Sequence, residues 1–243
     1  MTRLFVAVTL LLGLLAAASP ASADSGQREL VFLNWSDYMD PALVEEFEKI
    51  HGVKVKQVYF ETDDARTDLL LNTQGAGYDL IVSNDTALSA YLKSGWLDPV
   101  SAAEVPNLKH IDPRWRGEGE SARYGVPYFW GTLGIGYRKD LVREPVTSWR
   151  ALFQPAAALR GRIAMINDVR DTIGMALKAL GHSLNNNDPK VLAQVERLLV
   201  AQRPFVKTYS YVSLGEDSAL LTGEVWMAMM YSGDALMLRE RNP

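Results

Sequence analysis

Strand and helix signals alternate from residue 29 onward, and this alternation most constrains the fold. Residues 29–33 read as a short, buried-type strand. Asp40 and Pro41 then supply an N-cap and a first-turn proline for a helix with Leu43, Val44, Phe47 and Ile50 on one side, ended by Gly52. Residues 53–60 alternate as a second strand, 64–71 are helical, 78–82 form an apolar strand, and a helix over 86–94 stops at Gly95. Such alternation predicts an α/β fold with a largely parallel sheet and sites at the carboxyl ends of its strands. A turn-rich passage runs from Trp96 to about residue 122, followed by a strand over 132–137 that Gly134 and Gly136 interrupt, marking a bend or a close backbone approach. Beyond it come a capped short helix at 148–153, a strand at 162–166, helices at 171–180 and 189–202, an apolar strand at 224–231, and a helix starting near Asp234.

Residues 1–23 have the layout of a secretory signal peptide. Arg3 is the positive start, residues 4–18 are the apolar stretch, and Ala21-Ser22-Ala23 is the cleavage site before Asp24. The apolar run is short of the roughly 20 residues a spanning helix needs. The chain has no cysteine, hence no disulfide framework and no thiol nucleophile, and a soluble periplasmic protein is expected. Removing the leader leaves 24 basic and 29 acidic residues, a formal charge of −5 that disfavours nucleic acid as a partner.

Four strand ends carry groups suited to an organic cation. Residues 33–38 place Trp35 and Tyr38 beside Ser36 and Asp37. An aromatic face attracts an ammonium by roughly 0.5–2 kcal/mol, and a carboxylate adds a charge-assisted hydrogen bond. Trp35 and Tyr38 can equally be ordinary strand-end aromatics. Ser83-Asn84-Asp85 ends the strand at 78–82, with Ser83 and Asn84 as polar supports and Asp85 as a candidate anchor. Asp168 and Asp171 sit where a strand turns into a helix, so they either cap that helix or face a cleft. Tyr231-Ser232-Gly233-Asp234 forms the fourth end. Tyr128, Phe129 and Trp130, before the 132–137 strand, read as packed core aromatics.

No metal site is expected, because His51, His110 and His182 are isolated, and no cofactor motif is present. There is no nucleophile elbow and no P-loop, so no enzyme is expected. A carboxylate pair hydrolysing a glycoside is the enzymatic alternative, and it requires one carboxyl of raised pKa.

Asn34-Trp35-Ser36-Asp37-Tyr38 with Met39-Asp40-Pro41 resembles the opening signature of the periplasmic polyamine-binding proteins, the spermidine/putrescine receptors of ABC importers. Tyr78-Asp79-Leu80, Val126-Pro127-Tyr128, Thr147-Ser148-Trp149 and Tyr231-Ser232-Gly233-Asp234 extend the resemblance from about Leu30 to Arg239. It implies a two-lobed periplasmic binding protein fold of type II, with residues 24–134 as the first lobe and 135–243 as an incomplete second lobe. It also implies polyamine capture, putrescine favoured over spermidine, and delivery to an inner-membrane ABC permease. Trp35, Tyr38 and Tyr231 would sandwich the aliphatic chain, while Asp37, Asp85, Asp168, Asp171 and Asp234 would hold its nitrogens. Two departures stand out: Tyr231 replaces the usual Trp, and similar receptors continue well past Pro243, so a truncated chain is expected. The non-catalytic alternatives are a receptor of the same fold for an amino acid or Fe(III), and a ligand-sensing adaptor.

Overall fold

A computed structural model describes residues 28–36, 38–101, 103–116 and 121–242. The expected signal peptide and Asp37 lie outside the described residues. The chain separates into two compact units, one reaching Tyr59 and including Gly77–Val82, the other holding Phe60–Ala76 and everything from Ser83 onward.

In the first unit, β1 (Arg28–Trp35), β2 (Val53–Phe60) and β3 (Leu80–Ile81) form a sheet in the order β2-β1-β3. β1 and β3 run parallel, with Phe32 opposite Leu80 and Leu33 opposite Ile81. The strand expected over 78–82 shrinks to two residues. Its flanks still pair, since Asp79 N–H donates to the Val31 carbonyl (2.9 Å), Val31 N–H donates to Asp79 Oδ2 (2.7 Å), and Val82 N–H donates to the Leu33 carbonyl (2.9 Å).

Helix α1 (Pro41–His51) starts as its sequence dictates, with Asp40 Oδ1 accepting from Ala42 N–H (2.9 Å) and Pro41 in its first turn. It stops at Gly52, whose φ of 61° is left-handed backbone that a side chain would strain. No residue of α1 is buried, and Leu43, Phe47 and Ile50 are exposed, so the apolar stripe does not mark a core face here.

The second unit begins with α2 (Asp63–Thr73) and α3 (Asp85–Lys93). Its sheet holds β4 (Leu133–Tyr137), β5 (Ile163–Met165), β6 (Val206–Tyr209) and β7 (Met227–Tyr231), in the order β4-β7-β5-β6. β7-β5 and β5-β6 are parallel, and β4 joins antiparallel with Leu133 opposite Tyr231 and Tyr137 opposite Met227. Strands buried on both faces read as unbroken apolar runs, which Ile163-Ala164-Met165 and Met227-Ala228-Met229-Met230 are. The period of two then sorts them. Ile163, Met165, Met227 and Met229 face the main core, built with α4 (Arg150–Phe153), α5 (Val169–Ala179) and α6 (Pro189–Gln202). Ala164, Ala228 and Met230 face a smaller cluster with Leu220, Val225 and Leu238, the last on α7 (Ser232–Arg241).

Of the two strand glycines, Gly136 marks a close approach, since a Cβ there would collide with Met230 Sδ, whereas one at Gly134 meets nothing. α4 has no side-chain cap, contrary to expectation, and its entry is held by backbone bonds from Ala151 N–H to the Ser148 carbonyl and Leu152 N–H to the Trp149 carbonyl. Phe129 and Trp130 are 64% and 67% exposed, so they are not core aromatics; Trp130 stacks on Trp115, ring centroids 5.3 Å apart.

α6 shows the cap most plainly, with Pro189 in its first turn and Asp188 Oδ1 accepting from Lys190 N–H (2.8 Å). Asp188→Ala is expected to cost about 1 kcal/mol, read from a denaturant melt, while Asp188→Asn, which keeps an accepting oxygen, costs little.

Candidate functional site

The carboxyl ends of β5, β6 and β7 bring four of the unit's polar side chains together. After β5 the chain passes Ile166 and Asn167 to Asp168, the N-cap of α5, whose Oδ1 accepts from Asp171 N–H (2.7 Å). Capping and facing a ligand are compatible here: the cap uses one oxygen, and among the described residues no hydrogen bond reaches Asp168 Oδ2. One helical turn on, the Asp171 carboxylate accepts a 2.6 Å hydrogen bond from the hydroxyl of Tyr231, at the end of β7. After β6, Ser210 N–H donates to the Met165 carbonyl (2.9 Å), which carries Tyr211 to the same end of the sheet. Its ring stacks on that of Tyr231, centroids 6.3 Å apart and planes 18° from parallel.

The electrostatics follow from burial. Desolvation lifts the Asp171 carboxyl above its ordinary 3.8; the Tyr231 hydrogen bond and the Arg170 charge oppose this, and the charges of Asp168 and Asp63 add to it. Both phenols are pushed up, Tyr231 by burial and then by Asp171, Tyr211 by burial and then by Asp168, Asp63 and Asp171. The tyrosines are therefore neutral donors with apolar faces, set against a pair of carboxylates.

Asp63 joins this neighbourhood from the start of α2. Arg66 Nη1 donates to its Oδ1 (2.5 Å), and Asn84 Nδ2 donates to its Oδ2. Arg66 is 1% exposed, its Nε donating to Tyr91 Oη (3.1 Å) and its guanidinium lying 5.2 Å from the centre of the Phe60 ring. Asn84 is committed to structure as well, because its Oδ1 accepts from Ala87 N–H (2.8 Å) and caps α3. Ser83 Oγ donates to the Asn84 carbonyl (3.1 Å), and Asp85 lies 3.6 Å from Arg170 Nη1.

No hydrogen bond or ion pair joins Asp234, in the first turn of α7, to Asp171 or the tyrosines among the described residues, and burial alone lifts its carboxyl. In the first unit, Trp35 ends β1 with its ring centroid 6.3 Å from that of Tyr38, Asn34 Oδ1 accepts from Trp35 N–H (2.9 Å), and Ser36 is exposed. Sequence reasoning missed Asp63, Tyr211 and Arg170. Tyr211 follows a four-residue strand that was not recognised, and Asp63 reads as an ordinary helix-start acid. Among the described residues no three His, Cys, Asp or Glu side chains are grouped to hold a metal ion, and no helix is long and apolar enough to cross a membrane.

The chain has the α/β fold of the periplasmic binding proteins. The sequence pattern of the bacterial extracellular solute-binding proteins matches residues 42–243, and the chain belongs to that family. It is 34% identical to the norspermidine sensor of Vibrio cholerae over 206 residues, 85% of this chain and 56% of the sensor. It is 29% identical to the spermidine/putrescine-binding periplasmic protein of Escherichia coli over 231 residues, 94% of this chain and 65% of that protein. The structure of a putative spermidine/putrescine ABC transporter from Listeria monocytogenes matches with a TM-score of 0.78 at 32% identity, covering 88% of this chain and 66% of that one. The chain thus spans 56–65% of the length of these two curated relatives. The family binds solutes and is not one of enzymes, so the glycosidase alternative falls away.

Proposed function

We propose that this chain is the receptor part of a polyamine uptake system, capturing the ligand in the periplasm for an inner-membrane ABC permease. The observation that carries this reading is the pair Asp168 and Asp171, one helical turn apart, set against the stacked rings of Tyr211 and Tyr231. An alkyl diamine is two ammonium groups joined by methylenes. Its charge needs carboxylates and its chain needs ring faces, and the cluster offers both. Trp35 and Tyr38 are proposed as further ring faces, Asp37 and Asp234 as further anchors, and Ser36 and Ser83 as polar contacts. Putrescine is favoured over spermidine, because Asp168 and Asp171 are the two carboxylates of the cluster that, among the described residues, form no ion pair with an arginine. The norspermidine sensor among the relatives supports a second reading, in which the bound receptor reports to a membrane signalling protein; the ligand chemistry is the same in both.

A thermal-shift screen of putrescine, spermidine and norspermidine against lysine, glucose and Fe(III) citrate tests the class. Stabilisation by the amines alone is expected, because a ligand that binds only the folded chain raises its melting temperature by mass action. A shift with a sugar, an amino acid or iron, and none with any amine, contradicts the proposal.

A further inference from the structure

We propose that Arg170 and Asp85 form a charge gate beside the acidic cluster that sets how many ammonium groups the site accepts. This inference rests on the polyamine reading above. Arg170 is the second residue of α5, between the cap Asp168 and the site carboxylate Asp171, and its Nη1 lies 3.6 Å from Asp85 Oδ1. Both side chains are open to solvent, 63% and 88% exposed, so the pair is weak and can be parted by a ligand. Asp85 is the first residue of α3, whose cap Asn84 is tied to Asp63, so both partners stand on elements that build the cluster.

The charge balance gives the pair its meaning. Asp63 is paired with buried Arg66 and Asp85 with Arg170, while among the described residues Asp168 and Asp171 are in no ion pair with an arginine, although the Arg170 charge reaches Asp171. Counting the cluster alone, without the further anchors proposed above, two such carboxylates answer two ammonium groups. A third ammonium finds a partner in Asp85 only by displacing Arg170, and it meets the guanidinium charge as it does so. The gate therefore penalises a triamine more than a diamine, a difference made by repulsion as much as by attraction.

The test is calorimetric titration of the whole chain with putrescine and with spermidine, in the wild type, Arg170→Gln, Arg170→Lys and Asp85→Asn, at low salt. Removing the guanidinium in Arg170→Gln is expected to tighten spermidine by about tenfold and putrescine by no more than about twofold. Asp85→Asn, which leaves Arg170 unmatched, is expected to weaken spermidine by about fivefold, and Arg170→Lys, which keeps the charge, to leave the ratio of affinities near wild type. Circular dichroism of each variant confirms that the fold is intact. If both amines bind the wild type and their ratio is the same in Arg170→Gln and Asp85→Asn, the gate is overturned while the polyamine reading stands. If neither amine binds any variant, the polyamine reading falls and takes the gate with it.

Discussion

Asp171→Asn is expected to weaken putrescine binding by about 2–5 kcal/mol, roughly 30- to 4,000-fold, because it removes the anion from a partly desolvated contact with an ammonium. The carboxylate is well placed for this cost. It is sheltered enough for burial to lift its pKa, and the Tyr231 hydroxyl fixes its orientation. Asn keeps the shape and an oxygen that can accept from Tyr231, so the loss falls on charge and not on packing. Asp217→Asn is the control: that carboxylate is exposed and, among the described residues, accepts only from Ser213 Oγ (3.2 Å). Calorimetric titration of both variants should show a large loss in the first and almost none in the second. Equal losses would mean that Asp171 holds no ammonium.

Tyr231→Phe is expected to move the acid limit of binding to higher pH. The Tyr231 hydrogen bond favours the ionised Asp171 and partly offsets the burial that raises its pKa, so removing the hydroxyl raises that pKa further. An ammonium needs the ionised carboxylate, so affinity falls as the pH drops through the raised pKa, above the ordinary 3.8, and in the variant this fall begins earlier. The folding linkage has the opposite sign. A carboxyl whose pKa is raised on folding binds its proton more tightly in the native state, so between 3.8 and the raised value stability decreases as the pH rises. At neutral pH the variant also loses a hydrogen bond to a charged group, worth about 1.5–3 kcal/mol. Titrations and denaturant melts from pH 4 to 7 check both signs; superimposable affinity profiles for wild type and variant would contradict this role for Tyr231.

Much of the fold is legible because its signals are local. Asp40-Pro41 and Asp188-Pro189 announce helix starts through the chemistry of the cap itself, and Gly52 announces a stop through its left-handed backbone. β2 can be read from its alternation and β7 from its unbroken apolar run. What is not legible depends on pairing. β6 is four residues long behind Pro204, with no pattern of its own, and it exists because β5 lies beside it. Missing β6 hides Tyr211, whose place in the cluster comes from that strand's end. In the same way, nothing local says that Asn84 and Asp63 hold each other or that Arg66 is buried beneath them. Asp85 looks like an anchor in sequence, and only its distance to Arg170 shows that it already has a cation.

The central claim is that Asp168 and Asp171 hold the amine, and the most direct test watches those carboxyls as ligand is added. With aspartate side chains labelled with ¹³C, titrating putrescine at neutral pH should shift the Asp168 and Asp171 carboxyl resonances along one saturable curve, while that of Asp217 stays in place. Saturable binding by calorimetry, with the Asp168 and Asp171 resonances unmoved, would place the ligand elsewhere and contradict the account.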